Sequence, residues 1–335
     1  MKDTPKRALF VIASYDFEGL QITLNALEHT VDPHEKIIIV LNSKRRYYGE
    51  IVEVIAREWA KKNPSHRFVV RPLCAGGDIY WAIRELLEES TLLKDVEYFC
   101  KIDDDIIPLK NGWLNSLADS YHQLQSQKGN IGFITGLINN NNWGFSELID
   151  IFDKEEEYVQ INNHKSRAGN AGNVHINVNS IADGGWGTVW QYPYLARWVH
   201  QWTSLQIEEF IRKTKKLKLK EIPQETYYSV GCIFVGKSLW LDQSISKEQP
   251  NSAWEESFLH NKCIKNDLTK WAVMSEPIVH LNYYVQRFPN RDLLPLIAES
   301  LGRHFNDQSF NDIRWITLED RLIHLEEKQT PGLLQ

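Results

Sequence analysis

The chain has 335 residues, enough for one large α/β domain or two small ones. Hydrophobic residues make up 42% and charged residues 24%, ordinary proportions for a globular protein, and no apolar stretch is long enough to span a bilayer. A net charge of −6 argues against nucleic-acid binding through a broad basic face, and four cysteines without paired spacing (Cys74, Cys100, Cys232, Cys263) suggest a reduced, cytosolic protein with neither a zinc site nor a disulfide framework.

Taken in order, the chain opens on a buried strand at residues 8–14, too short an apolar run for a secretory signal. A turn at Tyr15 to Gly19 leads into a helix marked by Leu20, Leu24 and Leu27. Ile37 to Leu41 reads as a second strand, and Ile51, Val54, Ile55 and Trp59 lie at helical spacing up to a stop at Asn63-Pro64. Phe68 to Val70 is a third strand, and Gly76-Gly77-Asp78 a turn with Asp78 capping the helix through Leu87. A fourth strand, with Val96, Tyr98, Phe99 and Ile102, ends in Asp103-Asp104-Asp105. A helix with Trp113, Leu114, Leu117 and Tyr121 follows, then a fifth strand from Ile131 to Thr135. This alternation predicts an α/β fold with a mostly parallel sheet and helices on both faces.

The pattern breaks after Gly136. Asn139 to Asn142 is a poor helix former, and the chain to about Trp190 is rich in Asn and Gly, which predicts long loops over the mouth of the sheet. Residues 205–220 read as one helix with a basic end (Arg212, Lys213, Lys215, Lys216, Lys218, Lys220). A solvated face is the plain interpretation, and contact with an anionic membrane surface through 212–220 the sharper one. Residues 230–236 form a glycine-bounded strand. Trp254-Glu255-Glu256-Ser257 opens a helix whose first turn favours negative charge. Short strands are expected at 271–273 and 278–284, and a helical tail from Arg291.

The acidic triplet carries the chemistry. Three adjacent carboxylates repel one another unless a cation joins them, and a hard divalent ion takes oxygen ligands. Their place at the carboxyl end of a strand is where open α/β sheets bind ligands; a solvated acidic turn is the competing interpretation. Twelve tryptophans lean towards carbohydrate, whose rings stack on aromatic faces.

An α/β half ending in the triplet, a glycine-bounded strand, a glutamate pair at a helix start and a late-strand histidine, His280, occur in that order. This order resembles the family-2 type glycosyltransferases of the GT-A fold, over roughly residues 7–135 and 227–285. The matching stretches are residues 11–16, 37–42, 75–78, 101–105, 230–238, 254–259 and 279–283. The resemblance implies a GT-A domain over 1–290: a nucleotide-sugar half (1–135), loop-rich acceptor elements with the basic helix (136–226), and a catalytic-base half (227–290). The remainder, 291–335, is a helical tail. It implies that Asp103 and Asp105 form the Asp-x-Asp motif, with Asp103 towards the donor's ribose or sugar, Asp104 joining either role, and Asp103, Asp105 and His280 around Mn²⁺ or Mg²⁺. Ala13, Ser14, Tyr15 and Asp16 would edge the base, together with Asn42, which stands where many members carry aspartate. Gly76 and Gly77 would let the backbone approach the nucleotide. Glu256 would be the general base and Glu255 its support, although the second acid in the family is usually aspartate.

The implied function is an inverting, metal-dependent hexosyl- or N-acetylhexosaminyltransferase. It would be a soluble cytoplasmic protein, or peripheral at the inner face of the membrane, using a nucleotide-diphosphate sugar, a UDP-sugar first, and a glycan or lipid-linked acceptor in polysaccharide biosynthesis. Trp143, Trp186, Trp190 and Tyr192 would shape the acceptor pocket. Two other readings stay open: a sugar-phosphate nucleotidyltransferase, disfavoured because residues 11–20 lack a basic Gly-rich loop, and a non-catalytic carbohydrate-binding protein. No Gly-x-x-x-x-Gly-Lys run or Gly-x-Ser-x-Gly motif is present.

Overall fold

Runs of β-branched, aliphatic and aromatic residues bounded by polar turns set the strands of a computed structural model. It describes residues 6–14, 16–42, 49–72, 79–162, 189, 192–224, 226, 228, 231–242, 255–282 and 286–316. The strands are β1 (Arg7–Ala13), β2 (Ile37–Leu41), β3 (Arg67–Val70), β4 (Tyr98–Asp103), β5 (Ile106–Pro108), β6 (Ile131–Ile138), β7 (Leu219–Ile222), β8 (Cys232–Gly236) and β9 (Thr269–His280). They form one sheet in the order β3-β2-β1-β4-β8-β6-β9-β5, with β7 also paired to β9.

The β3-β2-β1-β4 side is parallel, as the strand–helix alternation predicts. Beyond β4 the sheet is mixed. β8 runs antiparallel to both β4 and β6, whereas β6 and β9 are parallel. The core is continuous through the sheet and its helices, and alternation along β4 assigns the faces. Tyr98 packs against Tyr121 of the helix Trp113–Lys128, while Phe99 meets Trp240, which in turn touches Tyr80 and Phe258. Helices therefore cover both faces.

Several expectations need correcting. The break after Gly136 is shorter than the composition suggests: β6 continues to Ile138, and helices span Asn142–Ile151 and Glu155–Asn162. Asn141 is the reason, because its side chain accepts the Trp143 and Gly144 amides and caps the first of these helices, behind which Phe145, Leu148 and Ile149 are buried. The two late strands are one, β9. A register shift between Val273 and Pro277, the partners of Gly136 and Leu137, carries the strand through the interruption. The basic stretch is a helix only over Ile207–Thr214, after which β7 pairs with β9. Within it Arg212, Lys213 and Lys220 engage Glu209, Asp153 and Glu147, while Lys215, Lys216 and Lys218 are exposed. Among the described residues no helix is long and apolar enough to cross a membrane.

Candidate active site

The acidic triplet folds back on itself. Asp103 ends β4, Asp104 and Asp105 make the turn, and Ile106 starts β5, which pairs antiparallel with the end of β9 so that Ile106 lies opposite His280. This pairing brings His280 Nε2 to 3.4 Å from Asp105 Oδ2. The triplet is not a solvated turn, since Asp104 and Asp105 are 4% and 3% exposed.

The three carboxylates do different things. Asp104 Oδ2 accepts the Ser14 amide at 2.8 Å, and its carbonyl accepts the Thr23 hydroxyl at 3.0 Å, so it latches β4 to the end of β1. Burial pushes its carboxyl well above the usual range, and the charges of Asp105 and Asp16 add to that. Asp105 is also buried, which alone would raise it, but His280 and Arg287 hold it below the ordinary value. Burial pulls His280 down, and Asp105 beside it reverses this to a net rise. Asp103 turns the other way, with Oδ1 2.6 Å from Lys101 Nζ. Desolvation raises Asp103 to about 6 against the pull of Lys101.

His280 is held from behind by the asparagine run. Its Nδ1 lies 2.9 Å from the Asn140 carbonyl, which can only accept, so Nδ1 carries the proton and Nε2 faces Asp105. Asn139 Oδ1 accepts the His280 amide, and Asn139 Nδ2 donates to Thr203 and Ser204. The side chains of Asn140 and Gln286 bond to each other. The run that looked like loop is therefore a fully buried polar brace.

Of the residues expected at the base, Asn42 Nδ2 donates to Ser14 Oγ at 3.3 Å, and Asp16 caps the helix Phe17–Thr30 by accepting the Gly19 amide. Ala13 ends β1 beside them. Tyr15, Gly76 and Gly77 lie outside the described residues, as do Asp78, Trp186, Trp190 and Trp254. Trp143 is buried against Tyr228 as part of the core. Tyr192 is half-buried and stands just before the helix Pro193–Trp202.

Glu255 and Glu256 open the helix Glu255–Lys265, and Glu255 Oε1 reaches Lys101 Nζ at 3.4 Å. Triplet, histidine and glutamate pair thus converge from distant parts of the chain. Sequence reading missed three participants. Lys101 shares a face with Phe99 and Asp103 by strand alternation, a signal that was legible. Arg287 lies 3.5 Å from Asp16 and 3.7 Å from Asp105, and nothing in the sequence marks it. The third is the asparagine brace.

Among the described residues no group of three His, Cys, Asp or Glu side chains is gathered to hold an ion. Asp103 is drawn off by Lys101. Asp105 and His280 fit as a pair: two adjacent ligands at ~2.1 Å from one hard cation sit about 3 Å apart, and such ions commonly take one or two protein groups and fill the rest with phosphate and water.

No protein-family model matches the sequence, and a search of characterised protein sequences finds no relative. Many solved structures are similar at a low level. One is the mannosyltransferase PcManGT from Pyrobaculum calidifontis in complex with GDP-Man and Mn²⁺, at TM-score 0.45 and 9% identity, covering 98% of this chain and 81% of that one. Another is S. aureus TarS 1–349, at TM-score 0.40 and 11% identity, covering 95% of this chain and 78% of that one.

Proposed function

We propose that this chain is a metal-dependent, inverting glycosyltransferase of the GT-A type, moving a sugar from a nucleotide-diphosphate donor to a hydroxyl of a glycan or lipid-linked acceptor. The observation that carries this reading is the convergence of two separate acidic groups on one end of the sheet. One pairs with a histidine at cation-ligand spacing, and the other is a glutamate pair at a helix start.

Asp105 and His280 would hold Mn²⁺ or Mg²⁺ beside the donor diphosphate. When bound, the cation neutralises charge that builds on the phosphate oxygens. Asp103, kept off the cation by Lys101, faces the donor's ribose or sugar. Arg287 carries positive charge to the same end of the site. Ser14 and Asn42 form the wall on which the base would rest. Glu256 takes the proton from the acceptor hydroxyl, which is a poor nucleophile until it loses it. A base on the side opposite the leaving group makes the transfer inverting.

The test is a thermal-shift screen of UDP-, GDP-, CMP- and dTDP-sugars, with Mn²⁺ and with EDTA; UDP-sugars lead the panel. A ligand at ~100 times its dissociation constant adds about 2.7 kcal/mol, so one donor class should give a clear manganese-dependent shift. A shift with nucleoside triphosphates alone would overturn the reading in favour of a nucleotidyltransferase.

A further inference from the structure

Lys101 is fully buried in the middle of β4, between apolar neighbours. Taking an ammonium out of water is costly, so such a residue persists only where fixed acids offset the cost. Here two do. Nζ is 2.6 Å from Asp103 Oδ1 and 3.4 Å from Glu255 Oε1, and the charge of Glu256 adds to the same field. Asp103 belongs to β4 and Glu255 to a helix 154 positions away from Lys101 in sequence, so this one side chain joins the donor end of the candidate site to its base end. Strand alternation requires the arrangement: Lys101 and Asp103, two apart, point to the face that the Glu255–Lys265 helix covers.

We propose that Lys101 is a positioning residue that ties the glutamate pair to the acidic turn and thereby fixes where Glu256 stands over the donor site. The inference rests on the transferase reading. Without the ammonium, Asp103 and Glu255 face each other as like charges, and the helix start moves away from the turn. Lysine suits the place because a single compact charge can reach both carboxylates.

A space-filling role and a positioning role predict opposite mutant orders. Replacing a buried ion with an apolar residue of similar volume is often tolerated by a fold, so Lys101→Met would keep full activity if packing were all that mattered, while the bulkier Lys101→Arg would lose it. The positioning role predicts the reverse. The assay is Mn²⁺-dependent release of nucleoside diphosphate from whichever of UDP-glucose, UDP-N-acetylglucosamine and GDP-mannose the wild type turns over. Lys101→Met should lower kcat about 10²-fold, the usual effect of a misplacement near 1 Å, with donor KM little changed. Lys101→Arg should recover at least roughly a tenth of the wild-type rate. In the Glu255→Gln background Lys101→Met should cost no more than about threefold further, because both changes cut the same link. Denaturation midpoints give a readout independent of turnover, and the double variant should lose less than the sum of the singles. Wild-type turnover with Lys101→Met at full rate, or with additive effects of the two changes, overturns the role of Lys101 alone. Should Lys101→Met fail to fold, Lys101→Arg decides: a folded arginine variant below about a hundredth of the wild-type rate overturns the proposal. A wild type that binds none of the UDP-, GDP-, CMP- and dTDP-sugars of the thermal-shift panel overturns the transferase reading, and this inference falls with it.

Discussion

At the scale of the residue, three carboxylates adjacent in sequence have three different partners: Lys101 for Asp103, Ser14 for Asp104, His280 for Asp105. Their substitutions should separate accordingly. Asp105→Asn should abolish the manganese-dependent thermal shift with donor, whereas Asp103→Asn should leave metal binding intact and weaken donor binding. Glu256→Gln should retain the shift and lower turnover by ~10²–10⁴, the usual contribution of a general base, measured as kcat on the donor found in the screen. His200, which stands behind His280, supplies a pH test. It is buried, donates from Nε2 to the Leu281 carbonyl, and desolvation lowers it from 6.5 to about 4. Between those values the unfolded chain binds the extra proton, so stability falls as the pH drops from 6.5 towards 4. The contribution lost between pH 7 and pH 5 is about 2 kcal/mol, to order of magnitude. His280, raised in the fold, works with the opposite sign. The measurement is therefore the difference in urea stability between wild type and His200→Gln at the two pH values, with the variant expected to show the flatter dependence.

At the scale of the element, the sequence was readable where one local rule governed. β1, β2, β4 and their helices follow from apolar periodicity and turn residues, and the structure places them within a few residues of the expected bounds. It was misleading where tertiary contacts overrode the local rule. Asn139 to Asn142 violates helix propensity, yet each of the first three asparagines has a side-chain partner: Thr203 and Ser204 for Asn139, Gln286 for Asn140, and the helix amides for Asn141. Those partners lie up to 146 positions away, so no window along the chain could have revealed them. Asn139→Ala should therefore cost about 1–3 kcal/mol by leaving buried donors and acceptors unmatched, read from denaturant midpoints. Asn141→Ala should cost about 1 kcal/mol, the value of a lost N-cap. Gly19 is a tighter constraint. A Cβ there would stand 3.0 Å from Asp16 Cγ and 3.1 Å from Asp105 Cβ, so Gly19→Val should both destabilise the fold, by about 1–3 kcal/mol, and reduce manganese affinity.

At the scale of the whole molecule, the sheet is stitched, not stacked. β8 lies between β4 and β6, and β6 between β8 and β9, so chain order and spatial order disagree wherever the candidate site is built. This explains what could be read in the site itself. The triplet, the glutamates and His280 stood out by residue type, while Lys101 and Arg287 gained meaning only from the company the fold gives them. A fragment ending at Ile138 would leave β4 without β8 and β6 without either neighbour. Expressed alone, residues 1–138 should show no cooperative unfolding transition by circular dichroism.

The position of β9 has a consequence for how the protein is made. Among the described residues it is the last strand in sequence, yet β5, β6 and β7 all pair with it. The carboxylates of the turn are synthesised about half a chain earlier, and β5 beside them has no partner among the described strands until β9 follows. The Asp105–His280 pair can therefore form only once residue 280 has emerged.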